Sequence, residues 1–240
     1  MSAMISAELL RLRTVATHRW VALGLLALIA VNAAPFVNGA STTSDEVVAQ
    51  LRGLAQLAIV MVAAYAAHIV GDEFRRGSVA MTYLVHPSRG RVTAAHAVTY
   101  AAVGAVLAAF LAGAAMAIVL PVAAGDHVNT GFGSADIALV LAGSALGGAV
   151  LGAAGALIGA VARHPGLAMG IVVVWSVSES LVTRGGTRGG IGPYLPFQLV
   201  GAVTSLSDDV AVLPAIGLLV VYLTLLVLAV RRWALPRDLT

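Results

Sequence analysis

Charge is segregated along this 240-residue chain so sharply that few folds remain open to it. Uncharged intervals run over 20–44, 53–71, 92–125, 137–162 and 210–230, and another over 164–183 is broken only by Glu179. A bilayer hydrocarbon core about 30 Å thick is crossed by roughly 20 apolar helical residues, so each interval can supply one span. Only 10% of the residues are charged and 60% are hydrophobic, whereas a soluble domain carries about a quarter charged residues. The chain has too little polar surface to cover itself in water. Its unbroken runs of Ala, Val and Leu also lack the alternation of a transmembrane barrel. The expected fold is an all-α membrane protein of six transmembrane helices, forming one transmembrane domain over 1–240.

Composition excludes several functions. With no cysteine, neither disulfides nor thiolate metal sites can form. All 14 basic residues are arginine. A P-loop needs a lysine to reach the phosphates, so if ATP drives this protein, another chain hydrolyses it. Neither H-E-x-x-H nor G-x-S-x-G occurs, and His18, His68, His86, His96, His127 and His164 are scattered without ligand spacing. No catalytic or metal-binding residue is therefore assigned. The net charge of +3 is read as loop placement, with no nucleic-acid partner expected. Met1 to Arg19 has no apolar core ahead of its charges, so a cleavable signal is not expected.

Arginines orient the spans, because cytoplasmic loops carry the excess of positive charge. With the N-terminus inside and six crossings, the cytoplasmic side holds Arg11, Arg13, Arg19, Arg75, Arg76, Arg89, Arg91, Arg163, Arg231, Arg232 and Arg237. The outside holds only Arg52, Arg184 and Arg188. Both termini are expected inside. The segment 1–19 alternates apolar and charged residues at roughly helical spacing, which suits an amphipathic elbow helix in the interface; Trp20 suits the same boundary. The uncharged stretch around Pro193 and Pro196 is too short and proline-broken to cross, so 184–209 is expected to be an external re-entrant or interfacial segment packed on protein. An ordinary apolar loop is the alternative.

Small residues recur every four positions at Gly143/Gly147, Gly148/Gly152 and Gly155/Gly159, and again at Gly104/Ala108/Ala112. Such rows let membrane helices approach closely and predict a compact bundle. Ionisable groups within spans are candidates for function because they are costly there. Glu179, with Ser176 and Ser180 on one helical face, either lines a translocation path or reaches water or Arg184 near the outer end. Asn32, with Pro35, marks a kink or a polar lining position. His68 is expected to satisfy a partner near the inner end of the second span.

The densest polar cassette lies between the second and third spans, over 72–91. Its centre, SVAMTYLVH, is long enough for about two helical turns. Ser78 can cap the start and Pro87 can end it, with Arg75, Arg76, Arg89 and Arg91 as brackets. Val79, Met81, Tyr83, Leu84 and Val85 give this helix an apolar surface suited to a groove on a soluble partner. A solvated loop serving only topology is the bland alternative.

Glu73, then Gly77-Ser78, an apolar turn and HPSRGR resemble the corresponding loop of ABC-2 type transporter permeases. The resemblance extends in outline over the whole chain. It implies that 72–91 carries a coupling helix that docks on a separate ATP-binding cassette ATPase subunit. Glu73, Gly77, Ser78, Pro87, Ser88 and Arg89 match the pattern, while His96 stands near the place where a lysine is common. It also implies that ATP and Mg are bound only by the partner, that two permease subunits pair, and that spans one and five flank the path. The expected function is ATP-driven export of a hydrophobic or amphipathic substrate, such as a drug, peptide antibiotic or lipid, across a cell membrane, most readily a bacterial one. The alternative is an ATP-independent transporter or channel, with Glu179 and His68 as coupling groups.

Overall fold

A computed structural model describes residues 16–37, 43–85, 88–125, 127–128, 130–185, 190–204, 206 and 210–233. Among them all regular secondary structure is helical: α1 (Ala16–Val37), α2 (Ser44–Arg75), α3 (Ser78–Val85), α4 (Arg89–Gly125), α5 (Ser134–Ala162), α6 (Pro165–Gly185), α7 (Leu199–Val203) and α8 (Val212–Trp233). A 3₁₀ turn over Gly192–Tyr194 precedes α7. Helices satisfy every backbone group internally, which hydrocarbon demands. Five of them, α2, α4, α5, α6 and α8, are long and apolar enough to cross a membrane. The first uncharged interval forms α1, 22 residues long. Most of the expected elbow helix, residues 1–15, lies outside the described residues.

Local chemistry fixes the helix ends. Thr43 and Glu46 form a capping box on α2: Thr43 Oγ1 accepts from the Glu46 N–H at 3.3 Å, and Glu46 Oε2 accepts from the Thr43 N–H at 2.8 Å. At the other end Gly77 adopts φ +71°, the left-handed conformation that glycine takes at little cost, and its N–H donates to the Phe74 carbonyl at 3.1 Å. That turn reverses the chain into α3.

The centre of the bundle is a triad, α2, α4 and α5, joined through glycine. A Cβ on Gly104 or Gly148 would strike the backbone of the other. One on Gly152 would strike the Tyr100 carbonyl, and ones on Gly155 and Gly159 would strike the carbonyls of Ala63 and Ala67. These contacts make α2 and α5 parallel, with α4 antiparallel to both. Gly143 lies against Val203, and Gly147 against Ile59 and Val200. The three glycine pairs of α5 thus meet α4, α2 and the segment that carries α7. Of the apolar stretches, 56% of the residues are buried in α2 and in α5, against 22% in α6 and 11% in α8, so the last two are peripheral.

Phe197, Leu199, Val200, Ala202, Val203 and Leu206 are all buried, which seats the segment deep in the bundle. Val200 meets α5 about 20 Å along from Ser134, at 1.5 Å per residue. At one end of the molecule lie the α2–α3–α4 loop, the α5–α6 turn and the end of α8, and with them Arg75, Arg76, Arg89, Arg91, Arg163, Arg231 and Arg232. Gly71 packs on the backbone of His164 and Pro165, so loop and turn form one surface.

Overpacking a site of this kind costs about 1–3 kcal/mol. Gly155→Ala should therefore lower the thermal unfolding midpoint in detergent micelles. Gly53→Ala, on a helix face with nothing within 4 Å, should leave it unchanged or raise it by up to about 1 kcal/mol equivalent.

Candidate functional site

The charged cassette folds into α3 and its two supports. α3 spans Ser78–Val85, so the expected two-turn helix is present; His86 and Pro87 lie outside the described residues. Ser78 is not the acceptor cap expected of it. Its hydroxyl donates to the Glu73 carbonyl at 3.1 Å, satisfying a carbonyl that the end of α2 leaves open. Ser88 caps the next helix through its own carbonyl, which accepts from the N–H groups of Arg91 and Val92 at 3.0 and 3.3 Å.

The bracketing charges divide into three groups. Arg75 and Arg76 both turn back on Asp72, at 2.7 and 2.6 Å. Arg89 lies over the half-buried Tyr83 ring, 5.7 Å from its centroid, a cation–π contact that ties α3 to α4. Arg91 is exposed. Arg163, whose backbone closes α5 at φ +52°, places its guanidinium over Phe74 at 5.9 Å and joins the α5–α6 turn to the same assembly. Within α3, Val79 is buried while Leu84 is 80% exposed, so a large aliphatic side chain projects from the arginine-bearing end.

Glu73 is placed differently from its neighbours. Expected among the docking residues, it is 4% exposed and turned inward. His96 of α4 is also buried, and its Nε2 lies 3.6 Å from Glu73 Oε2. Glu73 cannot touch a soluble partner from there. Its place is in a buried acid–imidazole pair that braces α2 against α4 beneath α3. Sequence reading missed this pair, although Glu73 and His96 fall on the inward stripes Val70/Glu73 and Val92/His96/Thr99 of the two supporting helices. Reading those stripes would have found it.

The residues expected to line a path are not gathered together. Asn32 is on α1, which packs on α4 and α2, whereas α6 packs on α2 and α5. The Asn32 side-chain amide donates to the Leu28 carbonyl at 2.9 Å, and the Asn32 backbone carbonyl accepts from Gln50 Nε2 at 2.9 Å. Ser176 and Ser180 return their hydroxyls to the carbonyls of Val173 and Ser176, at 2.9 and 3.0 Å; serines commonly satisfy themselves this way inside helices. His68 is exposed rather than held by the partner expected for it.

Glu179 is the polar residue that does join elements. It is 3% exposed, and its Oε2 accepts from the Phe197 N–H at 2.8 Å. Gln56 of α2 donates to Gln198 Oε1 at 3.0 Å and to the Phe197 carbonyl at 3.4 Å, and Arg52 Nε donates to the Leu206 carbonyl at 2.6 Å. Trp175 meets Phe197 edge-on, with ring centroids 5.5 Å apart. The polar face of α6 thus seats the segment 190–206 instead of bordering an open channel. No group of three or more His, Asp or Glu residues able to hold a metal occurs among the described residues.

Comparison with family models, curated proteins and solved structures gives no match for this chain.

Leaving a buried polar group without the group it faces costs about 1–3 kcal/mol. Glu73→Ala and His96→Ala should each destabilise the protein by that amount in thermal melts. The double variant should fall short of the sum by about 0.5 kcal/mol or more, as coupled neighbours do. Arg91→Ala should stay within about 0.5 kcal/mol of the parent.

Proposed function

We propose that this chain is the membrane subunit of an ABC-2 type transporter, which moves a hydrophobic or amphipathic substrate with ATP hydrolysed by a separate ATPase subunit. One observation carries the reading: α3, a two-turn helix presenting Leu84, is slung between two helices whose backbones are locked to a third. A push on α3 is passed to α2 and α4 through Val79, the Gly77 turn and the Arg89–Tyr83 contact with little slack. Glycine contacts then pass it to α5. The arginine-bearing end is cytoplasmic in this reading, with both termini, six crossings including α1, and 184–209 re-entrant from outside. The membrane is a cell membrane, and a second permease subunit completes the path.

Nucleotide would act at a distance from this chain. ATP closes the partner ATPases, and the closed pair shifts the bundle only to the extent that it binds one arrangement of α3 better than the other. The absence of lysine, and so of a P-loop, accords with this division of labour. An ATP-independent transporter coupled through Glu179 and His68 is less well supported, since His68 is exposed and lies on a different helix from Glu179.

The docking residues are those that face water. Truncating or charging an anchor at an interface centre costs about 2 kcal/mol or more, roughly thirtyfold in Kd. In mild detergent, the wild-type protein should bring down a P-loop ATPase, Leu84→Asp should lose it, and Arg231→Ala, away from α3, should retain it. Purification of the wild type alone under every gentle condition would sink the reading.

A further inference from the structure

The side of α6 turned toward the bundle is a single buried stripe, Pro165, Ala168, Val172, Ser176 and Glu179, and its chemistry changes halfway along. Near the arginine-bearing end, Ala168 and Val172 are fully buried in the same apolar cluster as Ile59, Ala64 and Ile158. Farther along, the stripe turns polar. Ser176 spends its hydroxyl on its own helix, and Glu179 holds the Phe197 amide. The segment on the far side of that bond is fixed elsewhere: to α2 through Gln56 and Arg52, and to α5 through Val200 and Val203 against Gly147 and Gly143.

Two further observations bear on this seam. Glu179 Oε1 is buried and accepts no hydrogen bond of good geometry among the described residues, although the Gln198 backbone and the Trp175 side chain also approach the carboxyl group. A buried polar atom without a donor is unfavourable, and water entering the seam would relieve it. Gly170 lies between Ala168 and Val172, with nothing within 4 Å of the position its Cβ would take. It therefore offers a pivot that neither side chains nor neighbours obstruct.

We infer that the part of α6 beyond Gly170, Ile171–Thr183, is a movable arm, latched to the rest of the bundle by Glu179 on the Phe197 amide. Its release opens a hydrated seam between α6 and the segment 197–204, at the end of the molecule opposite the arginine-bearing one. The inference goes beyond the transporter reading and does not depend on it. In a transporter, the seam would act as the gate on the side away from α3.

The chain contains no cysteine, so a single introduced thiol reports without background. Ser176→Cys, reconstituted in lipid nanodiscs without any ATPase, is labelled with a charged maleimide and timed against Ser134→Cys, an exposed position at the start of α5. Ser176→Cys should react slowly. Adding Glu179→Ala, which removes the hydrogen bond to the Phe197 amide, should speed its labelling about tenfold. Glu179→Gln, whose amide oxygen still accepts from Phe197, should leave the rate near that of the parent. Val200→Cys, facing α5, should stay unlabelled in the Glu179→Ala background. Equal rates with and without Glu179→Ala overturn the latch, and so does labelling at Val200 that rises as much as at Ser176. Because no ATPase is present, neither result bears on whether one binds α3.

Discussion

Backbone-to-backbone approach at glycine is the constraint on which the rest of this structure depends. In lipid there is no hydrophobic drive to bring helices together, so association falls to close packing and interhelical hydrogen bonds. α5 supplies the packing on three sides, through Gly148 and Gly152 to α4, Gly155 and Gly159 to α2, and Gly143 and Gly147 toward α7. With those distances set, α2 and α4 have fixed positions. Their ends then set the span that α3 bridges, and the pair Glu73–His96 fits between them. No single polar contact in the molecule determines as much.

The peripheral helices follow a different rule. α6 and α8 keep most of their apolar surface outward, as helices do when lipid or another subunit lies beyond them. Each is attached to the centre along one narrow side, by buried apolar residues (Ala168 and Val172 of α6, Ala215 and Leu219 of α8) and by polar contacts: Glu179 to the Phe197 amide, and Tyr222 to the Tyr194 carbonyl at 3.3 Å. The molecule therefore combines a buried centre with flanks that turn most of their surface outward.

How much of this was legible in the sequence differs from one element to the next. Five of the six expected spans were, because charge exclusion from hydrocarbon is a one-dimensional signal: the interval 137–162 became Ser134–Ala162, and 92–125 became Arg89–Gly125. The glycine rows were legible as close packing, but which row meets which helix depends on rotations that no local pattern encodes. α3 was legible from its flanking breakers. The facing of charged residues was not. Glu73 and Arg75 are two positions apart, yet one braces the interior and the other is exposed beside Asp72. The polar face of α6 was visible as a stripe, but a stripe facing a channel and one facing a buried segment have the same spacing. Only the fold of residues 190–206 distinguishes them.

The arginine-bearing end has a consequence that reaches past packing. A guanidinium keeps its proton at any pH a cell encounters, so the positive charge that the arginines give this face is not removed by acid or alkali, as that of lysine or histidine could be. The arginines' share of its attraction for an acidic surface is weakened by salt, fading beyond about 8 Å at physiological ionic strength. The clustering of arginine at one end of the molecule is, in the same way, a permanent property of the chain and not a titratable one.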